Sequence, residues 1–229
     1  MLPGRTGEVL RTYGYGVLAA MLVLHLVMSA FVEPEDPGLL PRLFLGSAVI
    51  VGVLATTPPK RRLWVAVPLA IVALARLAVW PDDGDVSLPG FVLDAGGQLV
   101  FWYLTVCLLA DVLGSRFSTY PRLLAAVCLY IVAAIGFAAI YRAIDASGAD
   151  DAGDGAAFMA QGERRKLDES EVLYFSFVTQ TTLGYGDIAP VSQPARAVAI
   201  MQATGGVLYL AVLVAAIVSG RQRETAEGE

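Results

Sequence analysis

Charged residues are scarce in this chain. Asp, Glu, Lys and Arg make up 16% of its 229 residues, well below the roughly 25% of a soluble domain, whereas apolar residues make up 56%. That balance excludes an ordinary water-soluble fold. A formal net charge of −5 argues against a nucleic-acid surface. Cysteine is nearly absent: Cys107 and Cys128 both fall inside apolar runs, so they read as reduced packing residues and exclude a disulfide framework. No fixed-period repeat is present.

What is present is a series of long apolar runs. Crossing a hydrocarbon layer takes roughly 20 apolar residues in a helix. Six stretches approach that length: 13–32, 39–57, 63–80, 91–113, 121–144 and 194–219. Arg5 and Arg11, Lys60-Arg61-Arg62, Arg116 and Arg122, and Arg221 and Arg223 flank them on alternate sides. The other connections carry Glu33, Glu35 and Asp36, then Asp82, Asp83 and Asp85, then Asp145, Asp150, Asp151 and Asp154. The positive-inside rule then places both termini in the cytoplasm of a multi-pass protein of the cell membrane. Arg164-Arg165-Lys166 is the one outer basic cluster, in the longest loop, where charge weighs less. The first run is read as a retained span, because Met28 fits a signal-peptide cleavage site poorly.

Two parts emerge. Residues 1–115 form four spans joined by short polar turns. Residues 116–229 hold an outer helix (121–144), a long outer loop, a short apolar helix (171–181), a glycine-rich heptad and an inner helix (194–219). The Ala/Gly/Asp-rich loop 145–162 is expected to be mobile, having little to bury. Asp168-x-x-Glu171, with Ser170 between, reads as a helix start. About three turns of helix cannot cross a bilayer, so this segment must dip in and return. Irregular backbone at membrane depth survives only inside protein or along a water-filled path.

The heptad Thr181-Thr182-Leu183-Gly184-Tyr185-Gly186-Asp187 resembles the signature of the potassium-channel superfamily, over roughly residues 116–220. The resemblance implies an all-α integral membrane protein: six transmembrane helices, a re-entrant pore helix with a selectivity-filter loop, and a tetrameric pore. An ion shedding its water shell needs rings of replacement oxygens, which backbone carbonyls supply. By resemblance, K+ sites form from Thr182, Leu183, Gly184 and Tyr185, with Gly186 completing the row and K+ as permeant ligand rather than cofactor. One copy supplies one wall, so a homotetramer is expected. Membrane lipid is the surrounding partner; nucleic acid is not.

The same resemblance assigns filter support to Thr181, Asp187, Tyr174, Phe175 and Val178. Tyr174 lies thirteen residues before Asp187, the spacing at which relatives tie an aromatic donor to the filter aspartate, so the resemblance implies a hydroxyl–carboxylate hydrogen bond. Val178 stands where some relatives carry a Glu behind the filter. Leu183 replaces the usual Val, with its side chain expected against the pore helix. Gly206, next to Gly205, matches the inner-helix hinge position, although small residues also allow close helix packing. A Pro-x-Pro bend is missing.

The fourth run lacks the regularly spaced arginines of a voltage sensor. Arg76 and Asp94 are expected to pair or snorkel near the outer face, and Asp111 to reach the inner interface near Arg116. His25 reads as a neutral packing residue. The short tail after residue 219 leads to the expectation of no cytoplasmic ligand-binding domain. Three competitors share parts of the motif. An intramembrane aspartyl protease would need a second catalytic Asp and has no use for Thr181-Thr182. A non-selective cation channel would replace Tyr185. A multi-repeat potassium transporter would carry four pore loops in one chain.

Overall fold

The computed structural model describes residues 3–29, 39–56, 88–113, 119–148 and 155–226, together with single helical positions at Trp64, Pro68 and Ile71. Six helices are described in chain order: α1 Pro3–Ser29, α2 Leu39–Thr56, α3 Leu88–Leu113, α4 Thr119–Ala146, α5 Glu169–Gln180 and α6 Gln193–Ala226. Three short strands join them: β1 Phe158–Ala160, β2 Glu163–Arg164 and β3 Ile188–Pro190. Among the described residues three segments are long and apolar enough to cross a membrane: Thr12–Ser29, Tyr120–Ala146 and Gln193–Leu213. The expected third span, 63–80, lies outside the described residues apart from three positions.

Helix ends move by a few residues from expectation, with two exceptions, the start of α1 and the end of α6. α6 continues past the apolar run to Ala226, because nothing in Arg221–Ala226 breaks a helix. α1 begins at Pro3, a residue suited to the first helical turn, where its missing N–H is no loss. α4 is apolar around its whole circumference, the pattern of a helix surrounded by lipid or protein.

The chain divides into two compact units whose boundary falls inside α4, between Ala133 and Ala134, rather than near residue 115. The first unit packs α1, α2, α3 and the start of α4. Leu18, Leu22, Val53, Leu104 and Leu108 are buried there. Small residues set the helix separations: a Cβ on Gly14 would sit 3.0 Å from that of Ala55, and one on Gly52 would sit 3.2 Å from Leu104. Tyr15 donates to the Asp111 carboxylate, and Arg122 Nε donates to the Val112 carbonyl at 2.6 Å, capping the end of α3. Asp111 is therefore engaged by Tyr15. Arg116, its expected neighbour, lies outside the described residues. His25 and Cys128 are buried, and both cysteines are free.

The second unit runs from Ala134 through α6. Its core gathers Ala138, Tyr141, Ala157, Phe158, Val172, Phe175 and Ala195. Three rings meet edge to face, with centroids 5.0 Å apart for Tyr141–Phe175, 5.2 Å for Phe158–Phe175 and 5.8 Å for Tyr141–Phe158. Phe158 belongs to the loop expected to be mobile. Over residues 155–162 that expectation is corrected: Ala156, Ala157, Phe158 and Ala160 are buried. The fold is correspondingly not purely helical. β1 is the centre of a three-stranded antiparallel sheet, order β2-β1-β3, with Ala160 opposite Glu163 on one side and Ile188 on the other. The β1–β2 turn places Gln161 and Gly162 at φ 53° and 87°, the paired left-handed conformation of a tight two-residue hairpin.

Phe158→Ala removes the ring at the centre of this cluster. It is expected to destabilise the second unit by about 3–4 kcal/mol, the usual cost of emptying a buried aromatic site. Thermal unfolding in detergent measures it; a midpoint equal to the wild type would contradict the role of Phe158 as core.

Candidate ion-conduction site

The heptad follows α5, and α5 is shaped by its ends. Asp168 is the N-cap: its carboxylate accepts from the Glu171 N–H at 2.8 Å, while the Glu171 carboxylate accepts from the Asp168 N–H at 3.1 Å. This reciprocal capping box satisfies two N–H groups, and Glu169 and Glu171 put negative charge at the positive end of the dipole. At the other end Thr181 is the C-cap. The Thr182 N–H donates to the Thr179 carbonyl and the Leu183 N–H to the Val178 carbonyl, each at 3.0 Å. Those two bonds define a Schellman stop, which requires a left-handed residue just past the cap.

That residue is Thr182, at φ 56°. Glycine ordinarily fills such a position; a β-branched residue there is strained by roughly 1–2 kcal/mol. Gly184 and Gly186 are also left-handed, at φ 57° and 83°, whereas Leu183 and Tyr185 have negative φ. The sign of φ thus alternates through five residues. In an extended chain with alternating handedness, successive carbonyls turn to the same side instead of opposite sides. A row of aligned carbonyls is a ladder of cation ligands. The heptad residues Thr181 to Asp187 are all exposed in the single chain, Leu183 by 55% and Tyr185 by 67%. The Leu183 side chain, expected against the pore helix, is therefore largely open; its N–H is what binds α5.

The far end is held by side chains. Tyr174 donates to the Asp187 carboxylate at 2.7 Å, the bond implied by the family resemblance, and its ring lies parallel to that of Tyr185 with centroids 6.5 Å apart. The carboxylate acceptor pushes the Tyr174 phenol up to about 12, so it remains a donor at neutral pH. Phe175 faces the other way, into the aromatic core. Val178 is half-buried and contributes its carbonyl to the helix stop.

Behind the heptad lies a polar cluster that sequence reasoning missed. Gln202 of α6 is buried. Its Oε1 accepts from the Tyr141 hydroxyl at 2.8 Å, and its Nε2 lies 2.8 Å from Ser176 Oγ and 3.0 Å from the Ser176 carbonyl. The Ser176 hydroxyl in turn donates to the Ala134 carbonyl at 2.7 Å. One amide thereby joins α4, α5 and α6. The available signal was an uncharged polar side chain inside an apolar run, where an unpaired amide would be costly. Gly206 is buried one turn further along α6; a Cβ there would collide with the Gln180 carbonyl oxygen and lie 3.2 Å from Gln180 Cγ. Gly205 would meet nothing within 4 Å. Close approach therefore accounts for Gly206 and not for Gly205. Arg76 and the Asp94 side chain, the expected intramembrane pair, lie outside the described residues.

Residues 126–220 match the sequence model of a family described as an ion channel. The match takes in most of α4, the sheet, α5, the heptad and α6 up to Gly220, less than half of the chain. This stretch is thus similar to an ion-channel domain, and the family it resembles is one of channels and not of enzymes. No curated protein and no solved structure matches the chain.

Two outcomes test this geometry. Thr182→Gly relieves a left-handed threonine and is expected to stabilise the fold by about 1 kcal/mol per chain, read as a raised thermal midpoint. Gly206→Ala is expected to lower the midpoint by several degrees or to abolish folding, while Gly205→Ala leaves it unchanged or slightly raised. Equal effects at the two glycines would contradict the backbone contact at Gly206.

Proposed function

We propose that the chain is one subunit of a homotetrameric, potassium-selective channel of the cell membrane that conducts K+ passively. In this reading residues 182–187 form one wall of the filter, and the carbonyls of Thr182, Leu183, Gly184 and Tyr185, with the Thr182 hydroxyl, bind dehydrated K+. Gly186 lets the row end in the correct orientation. Thr181, Tyr174, Phe175, Val178 and Asp187 hold the wall from behind. The chain crosses the membrane six times with both termini in the cytoplasm.

The alternation of backbone handedness from Thr182 to Gly186, directly after a short capped helix, carries the reading. A single wall cannot surround an ion, which supports four copies about one axis. Tyr185 supports potassium over a non-selective pore, since it preserves the full row of carbonyls. The retained strain at Thr182 supports a role for its hydroxyl, because glycine would fit the backbone better. The absence of Arg and Lys from α3 supports gating by something other than an arginine voltage sensor. Gly205 is the freer of the two candidate hinge positions.

Purified protein in liposomes is expected to carry a K+ flux at least about a hundredfold above that of Na+, given a filter built on carbonyl coordination. Gly184→Ala, which forces a side chain onto a left-handed position, is expected to abolish that flux. A sodium-permeant or impermeable wild type would overturn the proposal.

A further inference from the structure

We infer that the β1–β2 hairpin of the outer loop is a strut that fixes the exit of the filter, with Asp145 and Gln161 as its positioning residues. The inference rests on the channel reading above and adds regulation from the outer side. After Gly186 the chain leaves the filter, and most of the backbone hydrogen bonds that hold it there come from this hairpin and the residue before it. The Gln161 N–H donates to the Asp187 carbonyl at 3.0 Å. Ile188, Ala189 and Pro190 then pair with Ala160, Met159 and Phe158. The Val191 and Ser192 N–H groups both donate to the Ala157 carbonyl, at 2.9 and 3.2 Å. Residues 187–192 are thus held continuously by residues 157–161 before α6 begins.

The hairpin is itself anchored at three points. Asp145, at the end of α4, is buried with 3% exposure. One of its carboxylate oxygens accepts from the Ala157 N–H at 2.9 Å and the other from the Leu167 N–H at 2.8 Å, so it grips both arms of the loop at once. Phe158 is locked in the aromatic core. On the return arm, the Arg165 guanidinium forms a bidentate pair with Glu171 in the first turn of α5.

Aligned carbonyls repel one another unless a cation lies among them. Bound ions therefore stabilise the filter by mass action, and lowering their concentration withdraws that support. What remains is the protein's own hold on the backbone. At the outer end that hold is the Tyr174–Asp187 bond, in the filter's own support, and the hairpin. Loosening the hairpin frees the Asp187 carbonyl and then that of Tyr185, the outermost ion ligand. The strut thus sets how long the filter conducts when external potassium is low.

The test is current decay at constant voltage from the reconstituted full chain, as external potassium is lowered stepwise. Asp145→Ala removes both grips and is expected to speed decay by about thirtyfold, the effect of losing two net hydrogen bonds of ordinary strength. Gln161→Asn places the favoured residue of the tight turn before Gly162 and is expected to slow decay by about two- to threefold. In high potassium both variants are expected to conduct with unchanged K+-over-Na+ preference, a split that a general folding defect would not produce. If Asp145→Ala fails to assemble, Gln161→Asn decides alone, since it is compatible with the fold. Wild-type current with decay unaltered in the assembled variants overturns the strut while leaving the channel reading intact. Absence of wild-type potassium current overturns the channel reading and the strut with it.

Discussion

The alternating backbone handedness from Thr182 to Gly186 is the constraint on which the second unit depends. A stretch of this kind forgoes the hydrogen-bond ladders of helix and sheet. It persists only where neighbouring structure determines each dihedral. Here the near end is set by the Schellman stop of α5, which forces Thr182 into a left-handed conformation. The far end is set by Tyr174 and by the hairpin. The glycines supply freedom; the flanking elements take it away.

The supports converge on a small set of buried groups. Tyr141 lends its ring to the aromatic core and its hydroxyl to Gln202. Phe175 and Tyr174 are adjacent on α5 yet serve opposite sides, one the core and one the mouth. Ser176 links α4 to α6 through the same amide. A polar cluster of this kind is costly to leave incomplete in a low-dielectric setting, which favours a single arrangement of the three helices.

Much of this was legible in the sequence. Three of the long apolar runs, the capping pair Asp168 and Glu171 and the termination near Thr181 follow from local rules, the Tyr174–Asp187 bond follows from the family resemblance, and the structure has them. The hairpin was not legible. Its strands are two and three residues long, its composition is that of a loop, and its large apolar residues, Phe158 and Met159, are adjacent and give no periodic signal. Asp145 read as one more acid in an acidic loop, because burial of a carboxylate by two backbone N–H groups leaves no trace in the sequence. Gln202 was passed over inside an apolar run. Gly206 was recognised as special, but whether for bending or for close approach depended on where Gln180 lay.

That contact has a mechanical side. With the α6 backbone pressed against the last carbonyl of α5, no slack remains between the two helices at Gly206. The helix extends twenty residues beyond that point, to Ala226, a reach of about 30 Å. Gly206 is therefore a fulcrum close to the start of the heptad. A small sideways force at the far end of α6 arrives there as a torque on α5, multiplied by the length of the arm.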